Sequence, residues 1–301
     1  MSAAVQIKSL VRSFGAVGAV DGVDLQVQPN EVFGIVGPDA AGKSTLMRLA
    51  VGVLAPDSGS VAVDGFDVHR QRNQARSRLG YMSQAFSLYR DLTVLENIWF
   101  FATLRGVSKR DRVARSERLL EATGLAPFTK RQAGMLSGGM KQKLGLICTL
   151  VHEPAVLFLD EPTNGVDPVS RREFWDILGE LRERVTIVIS TPALDEAERC
   201  DRVALMEHGK MLAIDSPQGL RQRVTQPVWE LTVDAPFDAA SYLESQLSEA
   251  TVQLFGDRLH VVTEAPAESL GSLLEQGGHP ASMRQIEPSL EDAYVQLVGA
   301  P

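Results

Sequence analysis

Glu31 to Thr45 reads EVFGIVGPDAAGKST, and its reading decides the fold. Glu31–Val36 is a mostly apolar run of strand length that feeds a glycine-containing turn. From Lys43 onward the apolar residues Leu46, Leu49 and Val53 recur at helical spacing. Strand, loop and helix in that order, with G-x-x-x-x-G-K-[ST] at the junction, is the context that a phosphate-binding loop requires. Gly37, Pro38, Asp39, Ala40, Ala41, Gly42, Lys43, Ser44 and Thr45 are therefore candidate nucleotide-binding residues. The backbone N–H groups of such a turn and the positive end of the next helix would cradle a β-phosphate. Lys43 would reach the β/γ oxygens and Ser44 would hold Mg2+.

Downstream, AVLFL at Ala155–Leu159 and VTIVI at Val185–Ile189 read as buried parallel strands. They are joined by a crossover helix with Phe174, Ile177, Leu178 and Leu181 on one face. The first of these strands ends in Asp160 and Glu161, and carboxylates at that end of a parallel strand face the ligand crevice of an open α/β sheet. Asp160 suits a second Mg2+ role, directly or through water, and Glu161 is placed to orient and deprotonate an attacking water. Upstream, the alternation of Val5, Ile7 and Leu10, then Val23, Leu25 and Val27, predicts half-buried antiparallel strands.

Two helical patterns, Thr93–Arg105 and Lys109–Thr123, fall between Ser87 and Met135 with no strand-like run, which predicts an inserted helical subdomain over about 87–152. After Pro217 and a helix ending near Val224, Pro227 opens a new series. Strand, helix, two strands joined by a Gly256–Asp257 turn, helix and strand precede a last helix from Leu290. Ser289 and Asp292 resemble a capping box at its start. The order βαββαβ plus a helix predicts a small ferredoxin-like α+β domain over 226–301, following a larger α/β domain over 1–225.

Composition narrows the function classes. The chain has 301 residues, 44% hydrophobic and 23% charged, which suits a large domain plus a small one. Residues 226–301 hold 12 acidic residues against Arg258 and Arg284, a net charge of −10 within a chain total of −8, so residues 1–225 carry +2. An acidic tail and a near-neutral body predict no nucleic-acid partner. Cys148 and Cys200, beside apolar residues, argue against a disulfide framework and for a reducing compartment. No apolar run of about 18 residues occurs, so no membrane crossing is expected.

LSGGMKQ at Leu136–Gln142 places Ser137 as a helix cap ahead of a glycine pair. Together with the phosphate loop upstream and Asp160–Glu161 downstream, it resembles the signature of the ATP-binding cassette (ABC) family, over roughly residues 3–225. The resemblance implies an α/β phosphate-loop ATPase cassette with an antiparallel β subdomain and a helical insert, binding ATP and Mg2+. It also implies a peripheral position on the inner face of the cell membrane, a membrane-spanning partner subunit and a second cassette bound head to tail. Ser137, Gly138 and Gly139 would then contact the ATP held by that second cassette. Phe14 looks like the aromatic residue that stacks on adenine. Gln84, in YMSQAF, looks like the glutamine that touches Mg2+ and senses the membrane subunit, and Gly165–Asp167 match the D-loop. The C-terminal segment, ending PSLEDAYVQLVG, resembles the appended domain of drug- and polysaccharide-exporter ATPases of the ABC-2 type, including daunorubicin-resistance ATPases.

Three departures from the family pattern stand out. Asp39 and Ala40 occupy phosphate-loop positions where Asn and Gly are usual, and Met140 replaces a signature Gln. STPALDEAE at Ser190–Glu198 resembles the switch segment STHxxDEAE with Pro192 in place of the histidine. Two other functions compete with transport: a soluble cassette ATPase acting on ribosomes or DNA, which should carry a basic patch or coiled coil, and a nucleotide-gated scaffold with a degenerate catalytic site.

Overall fold

Alternating burial builds the first sheet. β1 (Val5–Phe14) and β2 (Val17–Val27) pair antiparallel from Val5–Val27 to Phe14–Val17, with Val5, Ile7 and Leu10 on the buried side. β3 (Val32–Val36) is buried on both faces and runs through the phosphate loop into α1 (Lys43–Ala50). β4 (Ser58–Val63) pairs with the other edge of β1, and β5 (Phe66–Asp67) closes that four-stranded sheet. α2 (Arg72–Arg78) leads to β6 (Leu79–Met82). The structure, a computed structural model, describes residues 3–84, 88–247 and 250–299, so Ser87, the expected start of the helical insert, lies outside the described residues.

The insert is made by α3 (Val94–Leu104), α4 (Lys109–Ala122) and α5 (Gly138–Leu150), with α5 in contact with both of the others. Each start has a side-chain acceptor for an orphan N–H: Thr93 in a capping box with Glu96, Ser108 for Asp111, and Ser137 for Met140. Buried Asn97 fixes the approach to α3 by donating to the carbonyls of Tyr89, Leu92 and Thr93 and accepting from the Tyr89 N–H.

β7 (Val156–Asp160), α6 (Pro168–Leu181) and β8 (Thr186–Thr191) form the expected parallel crossover, α6 starting with Asp167 as cap and Pro168 in the first turn. α7 (Leu194–Ala197) precedes β9 (Arg202–Glu207) and β10 (Lys210–Asp215). The six-stranded sheet runs β10-β9-β3-β8-β7-β6. β3, β7 and β8 are buried at every position, which is why they read as continuous apolar runs. Two register pairs place the site: Val36 lies opposite Thr191, and Asp160 opposite Ser190. α1 touches strands of both sheets, so the helix that follows the phosphate loop is held between them.

His152, just past α5, gives this unit a pH-dependent term. Its Nε2 lies 3.0 Å from the Leu79 carbonyl, which can only accept, so Nε2 carries the hydrogen. Burial, reinforced by the charge of Arg105, pushes its pKa from 6.5 down to about 4. At pH 5 the unfolded chain therefore holds a proton that the folded chain does not. The contribution is complete above about pH 6.5 and is lost as pH falls toward 4. His152→Gln should flatten the loss of stability between pH 7 and pH 5 by about 2 kcal/mol in urea unfolding. Identical acid limbs in the two proteins would refute this.

The chain divides into two compact units, Met1–Met211 and Leu212–Pro301, the division falling inside β10. The expected limit at 225/226 lies within the second unit, because Val224 packs there with Val228, Val262 and Ala293. Beyond the end of β10 that unit holds α8 (Pro217–Arg221), β11 (Val228–Val233), α9 (Pro236–Gln246), β12 (Thr251–Phe255), β13 (Arg258–Val262), α10 (Ala267–Gln276), β14 (Ala281–Ile286) and α11 (Leu290–Gly299). Its antiparallel sheet runs β12-β13-β11-β14, that is second, third, first and fourth strands, the ferredoxin-like arrangement. α9 and α10 cover Leu231, Val233, Leu259 and Val261 on one face, while Ala293 of α11 meets Val228 and Val262 on the other. The Ser289–Asp292 capping box forms in both directions, at 2.7 and 3.1 Å. Both arginines of residues 226–301, Arg258 and Arg284, bind Glu230, and the Arg284 hydrogen bond holds that carboxyl below its ordinary range.

Candidate functional site

The phosphate loop leaves β3 under tight steric control. A Cβ on Gly37 would stand 2.0 Å from the Met206 carbonyl oxygen, and one on Gly42 would stand 2.2 Å from that of Ala19. Gly42 also has a φ of 106°, so its backbone is open only to glycine. Ala40, where the resembled pattern has glycine, takes a φ of 65° and carries the left-handed strain that glycine would relieve. Asp39 is exposed.

Lys43 is 3% exposed and curls back over its own loop, donating to the Gly37 carbonyl at 2.8 Å and the Pro38 carbonyl at 2.9 Å. Its ammonium also lies 3.3 Å from Oε1 of Glu161. Ser44 donates its hydroxyl to Asp160 at 2.9 Å, as does Ser190 at 2.7 Å and Tyr81 at 3.3 Å. Asp160 is fully buried. Burial, with Asp160 beside it, pushes the Tyr81 phenol up to about 12, so that group stays a hydrogen donor at neutral pH.

Glu161 sits one residue beyond the strand at a φ of 48°, an uncommon backbone for a non-glycine residue. Its N–H is shared between the carbonyl and hydroxyl of Ser190, both at 3.1 Å. Its Oε2 accepts from Gln84 at 2.8 Å and Asn164 at 3.2 Å. The structure thus brings Lys43, Ser44, Gln84, Asp160 and Glu161 together at one edge of the parallel sheet. Val17, Ala19, Gly42, Lys43, Ser44 and Glu161 help line a cavity of about 410 Å3 there. A larger one, about 900 Å3, is lined by none of these five groups but by Val53, Tyr81, Leu104, Arg105 and His152 among others.

The remaining expected residues lie outside the smaller cavity. Phe14 is 49% exposed, with the Arg12 guanidinium 4.9 Å from its ring centroid. Ser137 and Gly138 are exposed at the start of α5, and a Cβ on Gly139 would stand 2.4 Å from the Ser170 side chain, so glycine there lets α5 approach α6. In the switch segment, Pro192 is exposed, and the neighbouring Ala193 N–H is taken by the Thr191 hydroxyl. Glu196 is 2% exposed and accepts from Thr163 at 2.6 Å and Thr191 at 2.7 Å, tying the turn after β7 to the end of β8.

Sequence reading missed Tyr81, Asn164, Ser190 and His208. Tyr81 and Ser190 stand within motifs already read, three residues from Gln84 and at the head of the switch segment, and Asn164 stands three residues from Glu161, just before the D-loop match. His208, which lines the smaller cavity, had no such signal, because it belongs to a plain two-residue turn between β9 and β10. Among the described residues no group of three or more His, Cys, Asp or Glu forms a closed metal site, and no helix is long and apolar enough to cross a membrane.

Residues 20–164 match the family model described as ABC transporter. The chain is 44% identical over 288 residues to the probable multidrug ABC transporter ATP-binding protein YbhF of Escherichia coli, a match covering 93% of this chain and 49% of that protein. It thus spans about half the length of that relative. It is 35% identical to the Nod factor export ATP-binding protein I of Rhizobium sp. over 98% of this chain and 97% of that one. To the daunorubicin/doxorubicin resistance ATP-binding protein DrrA of Streptomyces peucetius it is 32% identical, over 99% and 93%. Among solved structures, cbiO1 from Clostridium perfringens, part of the ABC transporter complex cbiONQ, superposes with a TM-score of 0.67 at 26% identity, covering 74% of this chain and 95% of that one.

Proposed function

We propose, from the premise that this chain belongs to the ABC transporter family as one of its ATP-binding proteins, that it hydrolyses MgATP to drive export through a separate membrane-spanning partner. One observation carries the reading: an ammonium, a hydroxyl, two carboxylates and an amide from distant parts of the chain meet at the end of one parallel sheet. Lys43 presents its charge to the β/γ oxygens, and the loop Gly37–Thr45 offers backbone N–H groups to the phosphates. Glu161, steered by Gln84 and Asn164, orients the attacking water and takes its proton.

The residues fit Mg2+. The Ser44 hydroxyl and Asp160 carboxylate are hard oxygen donors 2.9 Å apart, and a pair this small suits an ion that keeps waters and takes further ligands from phosphate. Ser44, Asp160 and Gln84 would hold it, and when bound it would neutralise charge on the transferred phosphoryl group. Phe14 supplies a half-exposed ring for the adenine. The exposed Ser137 and Gly138 at the N-terminus of α5 supply N–H groups for the ATP of a second cassette. Tyr89, Phe100 and Leu104, 49%, 39% and 69% exposed on the helical insert, suit a protein partner; with a membrane subunit in that role, the chain would sit peripherally on the inner face of the membrane. Export fits the drug-resistance and export names of the relatives. Hydrolysis of MgATP by the purified chain, and its co-purification with a hydrophobic membrane subunit, test the proposal; failure of either rejects the corresponding half.

Pro192 favours a second reading of the same site. Proline offers neither an N–H nor a polar side chain, so it cannot make the γ-phosphate contact that the family's histidine supplies. On this reading the chain turns over slowly alone and completes a competent site on a different cassette. Pro192→His should then raise the rate of the isolated protein about tenfold, the worth of one hydrogen bond made in the transition state. An unchanged rate would mean that Glu161 suffices without a switch residue.

A further inference from the structure

We infer that His208 is a nucleotide-contacting residue whose imidazole meets the sugar and α-phosphate of the bound nucleotide; this rests on the ATP-binding reading above. His208 occupies the turn between β9 and β10, its side chain 92% exposed at the edge of the 410 Å3 cavity that Lys43, Ser44 and Glu161 line. The turn cannot drift from the phosphate loop. Gly209 donates its N–H to the Ala41 carbonyl at 2.9 Å and accepts from the Asp21 N–H at 2.9 Å. A Cβ on Gly209 would stand 2.6 Å from the Gly18 carbonyl oxygen, so the turn, the loop and β2 form one close-packed backbone junction.

That junction fixes which part of the nucleotide the imidazole would meet. Lys43, Ser44 and Glu161 mark the terminal-phosphate end of the cavity, and Val17, paired with Phe14, marks the base end. Gly209 is tied to both the loop and β2, which sets its neighbour His208 between the two ends, level with the sugar and first phosphate. The ring can donate to a phosphate oxygen and either donate to or accept from a sugar hydroxyl. Glu207, with a carboxylate oxygen 3.7 Å from Nε2, is the anion beside it, and Lys210 is engaged by Asp21 at 3.5 Å. The φ of 46° at His208, followed by 80° at Gly209, is what a tight two-residue hairpin demands and by itself argues nothing about ligands.

The same backbone supplies a clean test. Glycine accepts a φ of 46° without strain and removes only the imidazole, while asparagine tolerates the turn and keeps a hydrogen-bonding group. The probes are MgADP and a Mg complex of a non-hydrolysable ATP analogue, titrated calorimetrically into the full chain. His208→Gly should weaken both by about three- to tenfold, the worth of one hydrogen bond, and His208→Asn should restore both to within about twofold of wild type. Binding of both probes by His208→Gly within about twofold of wild type would overturn the inference, as would a loss confined to the triphosphate, which would move the ring to the γ end. Failure of the wild-type chain to bind either probe would instead reject the ATP-binding reading.

Discussion

Glu161→Gln is expected to lower steady-state ATP turnover by about 10²- to 10⁴-fold, the range for losing a positioned general base, while leaving nucleotide affinity within about threefold. The substitution is nearly isosteric, and a glutamine can still accept from Gln84 and Asn164, which lie 2.8 and 3.2 Å from Oε2. What it loses is the ability to take a proton from water. The phosphates would still meet Lys43 and the loop N–H groups, so ATP should accumulate uncleaved between two cassettes. Size-exclusion chromatography with MgATP should then show a dimer that the wild type forms only in passing. Turnover at the wild-type rate would remove Glu161 from the mechanism. Asp160 could not take its place without breaking its bonds to Ser44, Ser190 and Tyr81.

The site was legible in the sequence wherever one segment carries its own mechanism. The phosphate loop reads from Gly37, Gly42 and Lys43 because the turn carries its own backbone demand: Gly42, at a φ of 106°, is open only to glycine. Asp160 and Glu161 read from the apolar strand before them, since a strand buried on both faces must deliver its first charged residues at the sheet edge. The small second domain was legible from its turns and caps, Gly256–Asp257 and Ser289–Asp292 among them. Its starting point was not, because Val224 belongs to it through contacts with Val262 and Ala293, residues distant in sequence. Glu196 was invisible for the same reason: an acid in a run of acids reads as solvated, yet it is buried between the hydroxyl of Thr191 at the end of β8 and that of Thr163, brought from the turn after β7. Long-range packing, which periodicity does not encode, made the difference in each case.

Lys43→Ala is expected to act twice, on ligand and on fold. Each charge-assisted hydrogen bond to a phosphate oxygen is worth about 1.5–3 kcal/mol, so loss of one should weaken MgATP binding by about 10- to 100-fold and loss of two by about 100-fold or more. The second effect follows from the resting geometry. Lys43 and Glu161 are 3% and 6% exposed and lie 3.3 Å apart, so alanine at 43 leaves a buried carboxylate without its cation. Breaking such a pair from one side costs about 3–5 kcal/mol. Glu161→Gln in the same chain removes the orphaned charge and should return about 1–3 kcal/mol of that loss, a coupling that urea unfolding of the single and double variants without nucleotide would measure. Additive effects would mean that the ammonium and the carboxylate do not stabilise each other at rest. Undiminished ATP affinity in Lys43→Ala would remove Lys43 from the phosphate site altogether. If both effects appear, the ion pair acts as the resting latch of the site: the terminal phosphate draws Lys43 from Glu161 on binding, and the carboxylate is then free to act on water.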